Sequence, residues 1–277
     1  MALYKIANVF VERDPLPETY GPFETTECPD ESRLLRIIQS DEYEYIRTEE
    51  TIASLQHMNI NRTPAHPGAW IYKFNYGIGT MKVSDDYSYA EGYFQKNFVS
   101  YPERIRFLEP FSLLALQCRI IKEGNVILHA ACVSIKDDAY AFSGPSGIGK
   151  STRASIWVDT LNAEWISGDK PIVNPKNRFV YGAPWDGSDH IFKNVCKPLK
   201  AILKVKRSHE TNLRKMSYQE KYQFLMEQSF IPMWDKALTV KALASIKQMI
   251  KNIPIYLVEC DNTAASMEHV YEILSNI

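Results

Sequence analysis

Residues 144–151 read Gly-Pro-Ser-Gly-Ile-Gly-Lys-Ser, a complete Walker A pattern of the form G-x-x-x-x-G-K-[ST]. In this pattern the glycines let consecutive backbone N–H groups turn toward an anion, the lysine reaches the outer phosphates, and the last hydroxyl ligates magnesium. The segment therefore predicts a site for a nucleoside triphosphate, ATP or GTP, with Mg²⁺. The residues expected to contact the nucleotide are Gly144, Pro145, Ser146, Gly147, Ile148, Gly149, Lys150, Ser151 and Thr152.

The sequence on both sides of this segment favours a phosphate-binding loop over a glycine-rich turn that binds nothing. Residues 126–135 and 139–143 are rich in β-forming residues, and the polar residues 136–138 between them indicate a turn. Residues 150–161 carry apolar side chains at helical intervals. We therefore expect a β-hairpin, then the loop, then a helix.

The composition indicates an intracellular protein without a membrane span. The chain has 277 residues, of which 45% are hydrophobic, enough for one large or two unequal domains. Its most apolar stretch, residues 111–121, contains Gln117 and Arg119 and is shorter than the roughly 20 residues a span requires. The amino terminus lacks signal-peptide architecture, so a cytoplasmic location and no membrane partner are expected. The five cysteines occur singly, which argues against a disulfide framework: Cys28, Cys118, Cys132, Cys196 and Cys260.

The charge is unevenly distributed along the chain. Residues 1–110 hold 11 Lys or Arg against 17 Asp or Glu, whereas the remainder holds 21 against 16. Within the basic part, residues 193–221 have nine basic side chains, Arg207 among them, and two acidic ones. This run is either a solvated face or a surface that holds phosphates or an acidic peptide. Nucleic acid is not expected as a partner, because no nucleic-acid-binding motif accompanies it.

The pattern divides the chain into a small β-rich domain, residues 1–110, and a larger nucleotide-binding domain, residues 111–277. The first domain is expected to be mainly antiparallel, and its role is open between substrate recognition, shielding of the site and oligomerisation. Its strands are expected at residues 4–12, 34–38, 43–47, 70–76, 78–84 and 87–93. A helix from residue 104 or 110 to 122 marks the boundary, since Gly124 would stop it.

The larger domain is expected to alternate strands and helices after the loop. Strands are predicted at residues 164–167, 171–174, 178–181, 198–206 and 255–259. Helices are predicted at residues 218–228, 236–252 and 264–275. This order predicts an α/β (α+β) architecture around a mixed sheet.

Several stretches resemble the P-loop core of HPr kinase/phosphorylases and ATP-dependent phosphoenolpyruvate carboxykinases. The chain is more similar still to short HPr-kinase-like proteins of bacterial peptide-modification clusters. The similar stretches all fall between residues 128 and 203. They are residues 128–130, 142–152, 166–171, 181–185 and 194–203. The resemblance implies an HPr kinase/PEP-carboxykinase-like P-loop fold, often in oligomers, so a homo-oligomer is left open.

The resemblance also implies roles for individual residues. The kinases have an aspartate pair after the loop, one member near the metal and one acting as base, and this chain has Gly168-Asp169 there. Asp169 is thus the expected base or metal ligand, with Ser151 as the second metal ligand. His129 corresponds to a histidine near the terminal phosphate, and Lys170 would neutralise charge on the transferring group. The expected catalytic set is therefore His129, Lys150, Asp169 and Lys170.

Residues 183–194 form a predicted loop that is dense in polar and charged groups. Loops positioned by a rigid sheet often contact substrate. We interpret this loop as part of the acceptor site, where Trp185 would line the pocket and Lys193 would reach a phosphate. The competing interpretation is a surface loop whose polar residues have no binding role. The residues expected at the acceptor are Trp185, Asp186, Lys193 and Asn194.

The leading functional hypothesis is an ATP-dependent kinase that transfers the γ-phosphoryl group to a hydroxyl. The resemblance implies an acceptor that is a serine of a peptide or protein, or a small serine-like molecule. The alternative is a nucleotide-binding assembly or regulatory protein with little or no catalysis, motivated by Gly168 in place of an acid. A carboxykinase-type lyase is a third hypothesis, although no cluster of metal and phosphoenolpyruvate ligands is evident.

Overall fold

The protein is described by a computed structural model with two compact units. Backbone and side chains are described for residues 1–13, 17–40, 46–48, 50–74, 79–94, 108–185 and 190–276, and backbone alone for residues 101–107. The first unit comprises Met1–Glu123 and Pro232–Thr239, and the second comprises Gly124–Ile231 and Val240–Ile277. The chain is thus mixed α/β, as the element pattern predicted.

Within the described residues, the first unit contains an eight-stranded mixed sheet in the order β1-β2-β3-β8-β7-β6-β5-β4. β3 pairs in parallel with both β2 and β8, and the other pairings are antiparallel. Residues 14–33 and 40–88, which connect β3 to β2 and β8, are long enough for the crossover connections that parallel strands need. The strands are β1 (Ala2–Ile6), β2 (Val9–Arg13), β3 (Leu34–Gln39), β4 (Glu50–Ser54), β5 (Met58–Arg62), β6 (Ala69–Phe74), β7 (Gly79–Ser84) and β8 (Tyr89–Phe94).

The prediction of one strand over residues 4–12 is wrong. The chain turns between β1 and β2, and Ala7 there adopts φ 53°. A left-handed alanine gives no sequence signal, because that conformation usually selects glycine or asparagine. β4 and β5 were not predicted either. β4 is mostly polar and exposed, so it shows little alternation. β5 reads Met-Asn-Ile-Asn-Arg and does alternate, but the run is only five residues long. Part of the predicted strand 43–47, residues 43–45, lies outside the described residues.

The helix α1 (Tyr101–Lys122) belongs wholly to the first unit, so the predicted boundary at residue 110 falls inside it. Arg119, which interrupts its apolar run, is 2% exposed, and its guanidinium donates to the carbonyls of Asp86 and Ser32. These bonds and the Glu123 carboxylate, 3.4 Å from Nη2, reduce the cost of burying the charge. No helix in the described stretches is both long and apolar enough to cross a membrane.

Within the described residues, the second unit contains a nine-stranded mixed sheet, with β12-β10-β11-β15-β14-β13-β9 as its main path and β17 joining β15 to β16. Its strands are β9 (Val126–Ile127), β10 (Ala130–Ile135), β11 (Asp138–Ser143), β12 (Glu164–Ser167), β13 (Ile172–Asn174), β14 (Phe179–Tyr181), β15 (Cys196–Arg207), β16 (Asn212–Lys215) and β17 (Ile255–Cys260). Its helices are α2 (Lys150–Leu161), α3 (Tyr218–Gln228), α4 (Lys236–Asn252) and α5 (Ala264–Ser275), except that residues 236–239 of α4 belong to the first unit.

Both faces of this second sheet are buried. Along β10, Ala130 and Cys132 belong to a core cluster that includes side chains of α3 and α4. The intervening Ala131 and Val133 belong to a cluster that includes side chains of α2 and α5. Because successive side chains of a strand point to opposite faces, a strand covered on both sides reads as a continuous apolar run.

Three neighbouring strands of this sheet end at the same edge. β11 and β15 are parallel, with Ser143 opposite Lys204, and β15 and β17 are parallel, with Arg207 opposite Cys260. The predicted hairpin is confirmed, since β10 and β11 pair antiparallel from Ile135 opposite Asp138 onward. Ligands of α/β sheets commonly bind beyond the carboxyl ends of such strands.

Candidate functional site

The Walker A segment lies between β11 and α2, as the sequence predicts. Gly147 and Gly149 adopt φ 75° and φ 97°, in the region that favours glycine. Gly149 is also the N-cap residue of α2. The segment therefore brings the positive end of the helix dipole and its first backbone N–H groups to the edge of the sheet.

Two arginines fix the carbonyls of this segment. Arg153 is fully buried and donates from Nη1 to the carbonyls of Ile148 and Gly149 at 3.1 and 3.2 Å. Its Nη2 donates to the carbonyl of Cys260 at 2.8 Å, which ties the segment to β17. Arg207, at the end of β15, donates to the carbonyl of Gly147 at 2.8 Å. These side chains thus hold the loop conformation.

The segment opens onto a cavity of about 340 Å³. Lys150 is 8% exposed, and its Nζ donates to the carbonyls of Gly144 and Pro145 at 3.1 and 3.3 Å. The polar lining offers several hydrogen-bond donors to an anion, and it also contains one carboxylate, that of Asp169. The lining residues are His129, Ser146, Gly147, Gly149, Lys150, Ser151, Thr152, Gly168, Asp169, Arg207 and Asn262.

His129 and Asp169, which line this cavity, and Lys170 beside them form a chain of charged and polar contacts. The Nε2 of His129 lies 3.4 Å from Oδ1 of Asp169, and the Nζ of Lys170 lies 3.2 Å from Oδ2. All three side chains are partly exposed, at 33%, 23% and 46% respectively. The predicted catalytic residues are therefore neighbours, with the carboxylate between the imidazole and an ammonium group.

The backbone explains this proximity of residues 40 positions apart. His129 lies between β9 and β10, in the short stretch that belongs to neither strand. The N–H of Ala130 donates to the carbonyl of Asp169 at 2.7 Å, which holds the two segments together. The carbonyl of His129 accepts from Ser143 Oγ at 2.8 Å, which ties the histidine to the start of the Walker A segment.

Burial and positive charge set the protonation of the site. The pKa of His129 is lowered, first by burial and then by the ammonium groups of Lys150 and Lys170, although the Asp169 carboxylate opposes them. The net effect favours the neutral imidazole. Burial also lowers the pKa of Lys150, and Asp169 again opposes the shift. An anionic ligand beside Lys150 would favour its charged form further.

The two predicted metal ligands line the same cavity. Mg²⁺ is typically held by one or two protein oxygens, with phosphates and water completing its octahedron. The Ser151 hydroxyl and the Asp169 carboxylate are oxygen donors of this kind, so they fit the ion. Across the described residues, no group of three His, Cys, Asp or Glu side chains is positioned to hold a metal by itself.

The predicted acceptor loop is only partly brought to the site. Trp185 is 8% exposed, and its Nε1 donates to the carbonyl of Lys170 at 2.9 Å. It therefore holds the backbone next to Asp169 and is not itself among the described lining residues of the cavity. Lys193 and Asn194 are exposed and are not among the described residues that line the cavity. Asp186 lies outside the described residues.

Sequence reasoning missed Arg207 and Asn262 as components of the cavity. Arg207 appeared only as one member of the basic run, and Asn262 gave no signal. Arg207 is the last residue of β15 and Asn262 follows β17, and the carboxyl ends of these two strands lie beside that of β11. Knowledge of the parallel pairing would have found them, whereas local pattern could not.

Replacing Gly149 with alanine is expected to destabilise the chain by about 1–3 kcal/mol, because the alanine would have to adopt φ 97°, a conformation that is unfavourable for a residue with a Cβ. The Cβ would also lie 2.8 Å from the buried Nη1 of Arg153. We therefore expect ATP affinity, measured by titration with a fluorescent ATP analogue, to fall at least tenfold. Gly124→Ala is the matched control, since Gly124 has φ 83° but open space around it. Equal ATP affinities in the two variants would contradict the expectation.

Comparison with known proteins adds no family to this geometry. A scan against protein-family models finds no match for the chain, and a search of curated proteins finds no match either.

Proposed function

We propose that this protein is an ATP-dependent kinase that transfers the γ-phosphoryl group to a hydroxyl, in a P-loop core of the HPr-kinase-like type. The observation that carries the proposal is the convergence of Lys150, His129 and Asp169 with the Walker A segment on one cavity. Phosphoryl transfer depends on placing cations at the phosphates and a carboxylate at the acceptor. A cytoplasmic location is part of the proposal.

Each group at the cavity has a role in this reaction. The acceptor oxygen bonds to the γ-phosphorus as the bond to the β–γ bridging oxygen breaks, and that electron pair leaves with ADP. Asp169 takes the hydroxyl proton, and Lys150 and the loop amides stabilise charge on the phosphates. Neutral His129 orients the Asp169 carboxylate, and Lys170 lies beside the same carboxylate. Mg²⁺, held by Ser151 and Asp169 when bound, would neutralise phosphate charge.

The acceptor class follows from the family resemblance. A serine of a peptide or protein, or a small molecule with a serine-like hydroxyl, is the proposed acceptor. A single carboxylate is compatible with this chemistry, because a loose transition state makes positioning and charge neutralisation the larger contributions.

One feature favours a second candidate function. Gly168 lines the cavity at the position where the resembling kinases carry a second acid. A nucleotide-binding assembly or regulatory protein would need the Walker A segment to bind nucleotide, but it would not need a general base to activate an acceptor hydroxyl. Lys150 and the loop would then serve binding alone, and ATP would persist without transfer.

The test is transfer of labelled γ-phosphate by the full chain to free serine, serine peptides and small carrier proteins. Phosphorylated product from the native chain is expected, and Gly168→Asp tests the alternative directly. Transfer by Gly168→Asp alone would identify the native chain as a nucleotide binder. ATP binding without transfer by either form would also overturn the kinase proposal.

A further inference from the structure

A second cavity, of about 490 Å³, adjoins the Walker A cavity where β15 and β17 end. Arg207 and Asn262 are the residues shared by the described linings of the two cavities. The other described lining residues are Ser208, His209 and Asp261. All five residues are exposed or half-buried, so each has accessible surface to offer a ligand.

The order of the strands places this cavity and the proposed reacting groups on opposite sides of the Walker A segment. β11, which leads into that segment, lies between β10 and β15, with β12 beyond β10 and β17 beyond β15. Asp169 follows β12, whereas Asn262 follows β17. A nucleoside triphosphate carries its γ-phosphate at one end and its nucleoside at the other. A γ-phosphate beside Asp169 therefore directs the nucleoside toward the end of β17.

Hydrogen bonds fix the two chain segments that border the second cavity. The N–H of Ser208 donates to the carbonyl of Cys260 at 3.2 Å, which joins the end of β15 to the end of β17. Asp261 Oδ1 accepts from the N–H and the Oγ1 of Thr263 at 3.0 and 2.7 Å, just before α5. A site on segments tied in this way keeps its geometry when a ligand enters.

The hydrogen-bonding groups at the junction of the two cavities favour adenine as the base. Arg207 uses Nε and Nη2 on the carbonyls of Ile148 and Gly147, at 3.4 and 2.8 Å, so this edge is not available to the two acceptors on the N7 edge of guanine. Asn262 is exposed, and among the described residues its amide has no hydrogen-bond partner. Its Nδ2 and Oδ1 lie 3.5 and 3.6 Å from where a Cβ on Gly149 would stand, so the amide lies beside the Walker A segment. An amide offers a donor next to an acceptor, which matches N7 and N6–H of adenine.

We propose that the second cavity holds the nucleoside of the triphosphate, and that the Asn262 amide binds an adenine base there. The inference rests on the proposed function, because it takes the triphosphate to lie on the Walker A segment with its γ-phosphate toward Asp169. Arg207 lies between the phosphates and the base, and its flat guanidinium stacks on the base. Ser208 and His209 supply hydrogen bonds to the ribose hydroxyls.

The experiment measures binding of ATP, GTP and inorganic tripolyphosphate, each with Mg²⁺, to the full chain by isothermal titration calorimetry. Tripolyphosphate has the three phosphates and no nucleoside, so its affinity reports on the Walker A segment alone. The native chain should bind ATP more tightly than tripolyphosphate or GTP, by about tenfold or more. Asn262→Leu removes the amide and keeps its approximate volume. It should weaken ATP binding about five- to hundredfold and change tripolyphosphate binding less than about twofold. Gln248→Leu, at an exposed glutamine of α4 outside both described linings, is the matched control.

The outcomes separate this inference from the function on which it rests. Equal affinities of the native chain for ATP and tripolyphosphate would overturn the nucleoside site, and so would unchanged ATP binding in Asn262→Leu. A GTP affinity equal to or above that of ATP would overturn the assignment of adenine. Equal losses of ATP and tripolyphosphate affinity in Asn262→Leu would overturn the role of the amide, because the defect would then lie at the phosphates. The expected binding pattern without phosphoryl transfer would overturn the kinase function and leave the nucleoside site standing. Binding of neither ATP nor tripolyphosphate would overturn both.

Discussion

Replacing Lys150 with methionine is expected to lower kcat/KM for phosphoryl transfer by about 10²–10³-fold, the usual effect of removing one donor that stabilises transition-state charge. Lys150 is the buried cation at the start of α2, and it contacts the carbonyls at the opposite end of the Walker A segment. Methionine keeps the aliphatic stem, so the change removes charge more than packing. Initial rates with labelled ATP measure the effect.

The control for this variant is Lys247→Met, which removes an exposed lysine of α4 outside the cavity. Its kcat/KM should match that of the native chain. Retention of activity within tenfold in Lys150→Met would contradict the role assigned to this lysine. Retained ATP hydrolysis with lost transfer would instead locate the defect at the acceptor.

The largest effect on stability is expected from Trp157→Ala, at about 3–5 kcal/mol. Trp157 is fully buried in α2. Its ring packs edge-on against Tyr140, Phe142 and Tyr271, with centroids 5.2, 4.8 and 5.6 Å away. Its Nε1 donates to the carbonyl of Met267 at 2.8 Å. Alanine would leave a large cavity between α2 and α5 and remove this hydrogen bond.

This loss is best measured by urea unfolding of the full chain combined with hydrogen exchange at β11 amides. The exchange data report on the second unit specifically, since two compact units need not unfold together. Trp157→Phe keeps an aromatic ring and should cost less than alanine. Val240→Ala, at a side chain 62% exposed, should change stability by less than about 0.5 kcal/mol. Equal midpoints for Trp157→Ala and Val240→Ala would contradict the expected packing role.

Local pattern predicted the second unit well where the chain carries its own start and stop signals. α3 begins and ends as predicted, because Ser217 and Glu220 form a capping box before its apolar residues. α5 begins after Thr263, whose side chain accepts from the N–H of Ser266. The Walker A segment enters α2 at Lys150, as its glycines and the helical pattern predict.

The first unit was harder to predict, because its strands depend on partners that local pattern does not identify. The chain turns at Ala7 without a glycine. The side chains of β4 are mostly exposed, so its sequence shows no alternation of apolar and polar residues. β3 pairs in parallel with strands from other parts of the chain. Strand pairing is decided by packing between distant segments, so propensity alone gives a weak prediction.

The sequence by itself determined the residues of the Walker A segment, the hairpin before it and the helix after it, because glycine conformations, turns and helical periodicity are local properties. Only the tertiary structure decided which side chains from other parts of the chain lie at the Walker A segment. Parallel pairing of β11, β15 and β17 brings Arg207 and Asn262 to the cavity, and backbone bonds bring Asp169 to His129. Pairing between residues 127–129 and 228–230 places Gln228 beside His129. These contacts join residues 40 to 110 positions apart, and only the packing of the complete sheet specifies them.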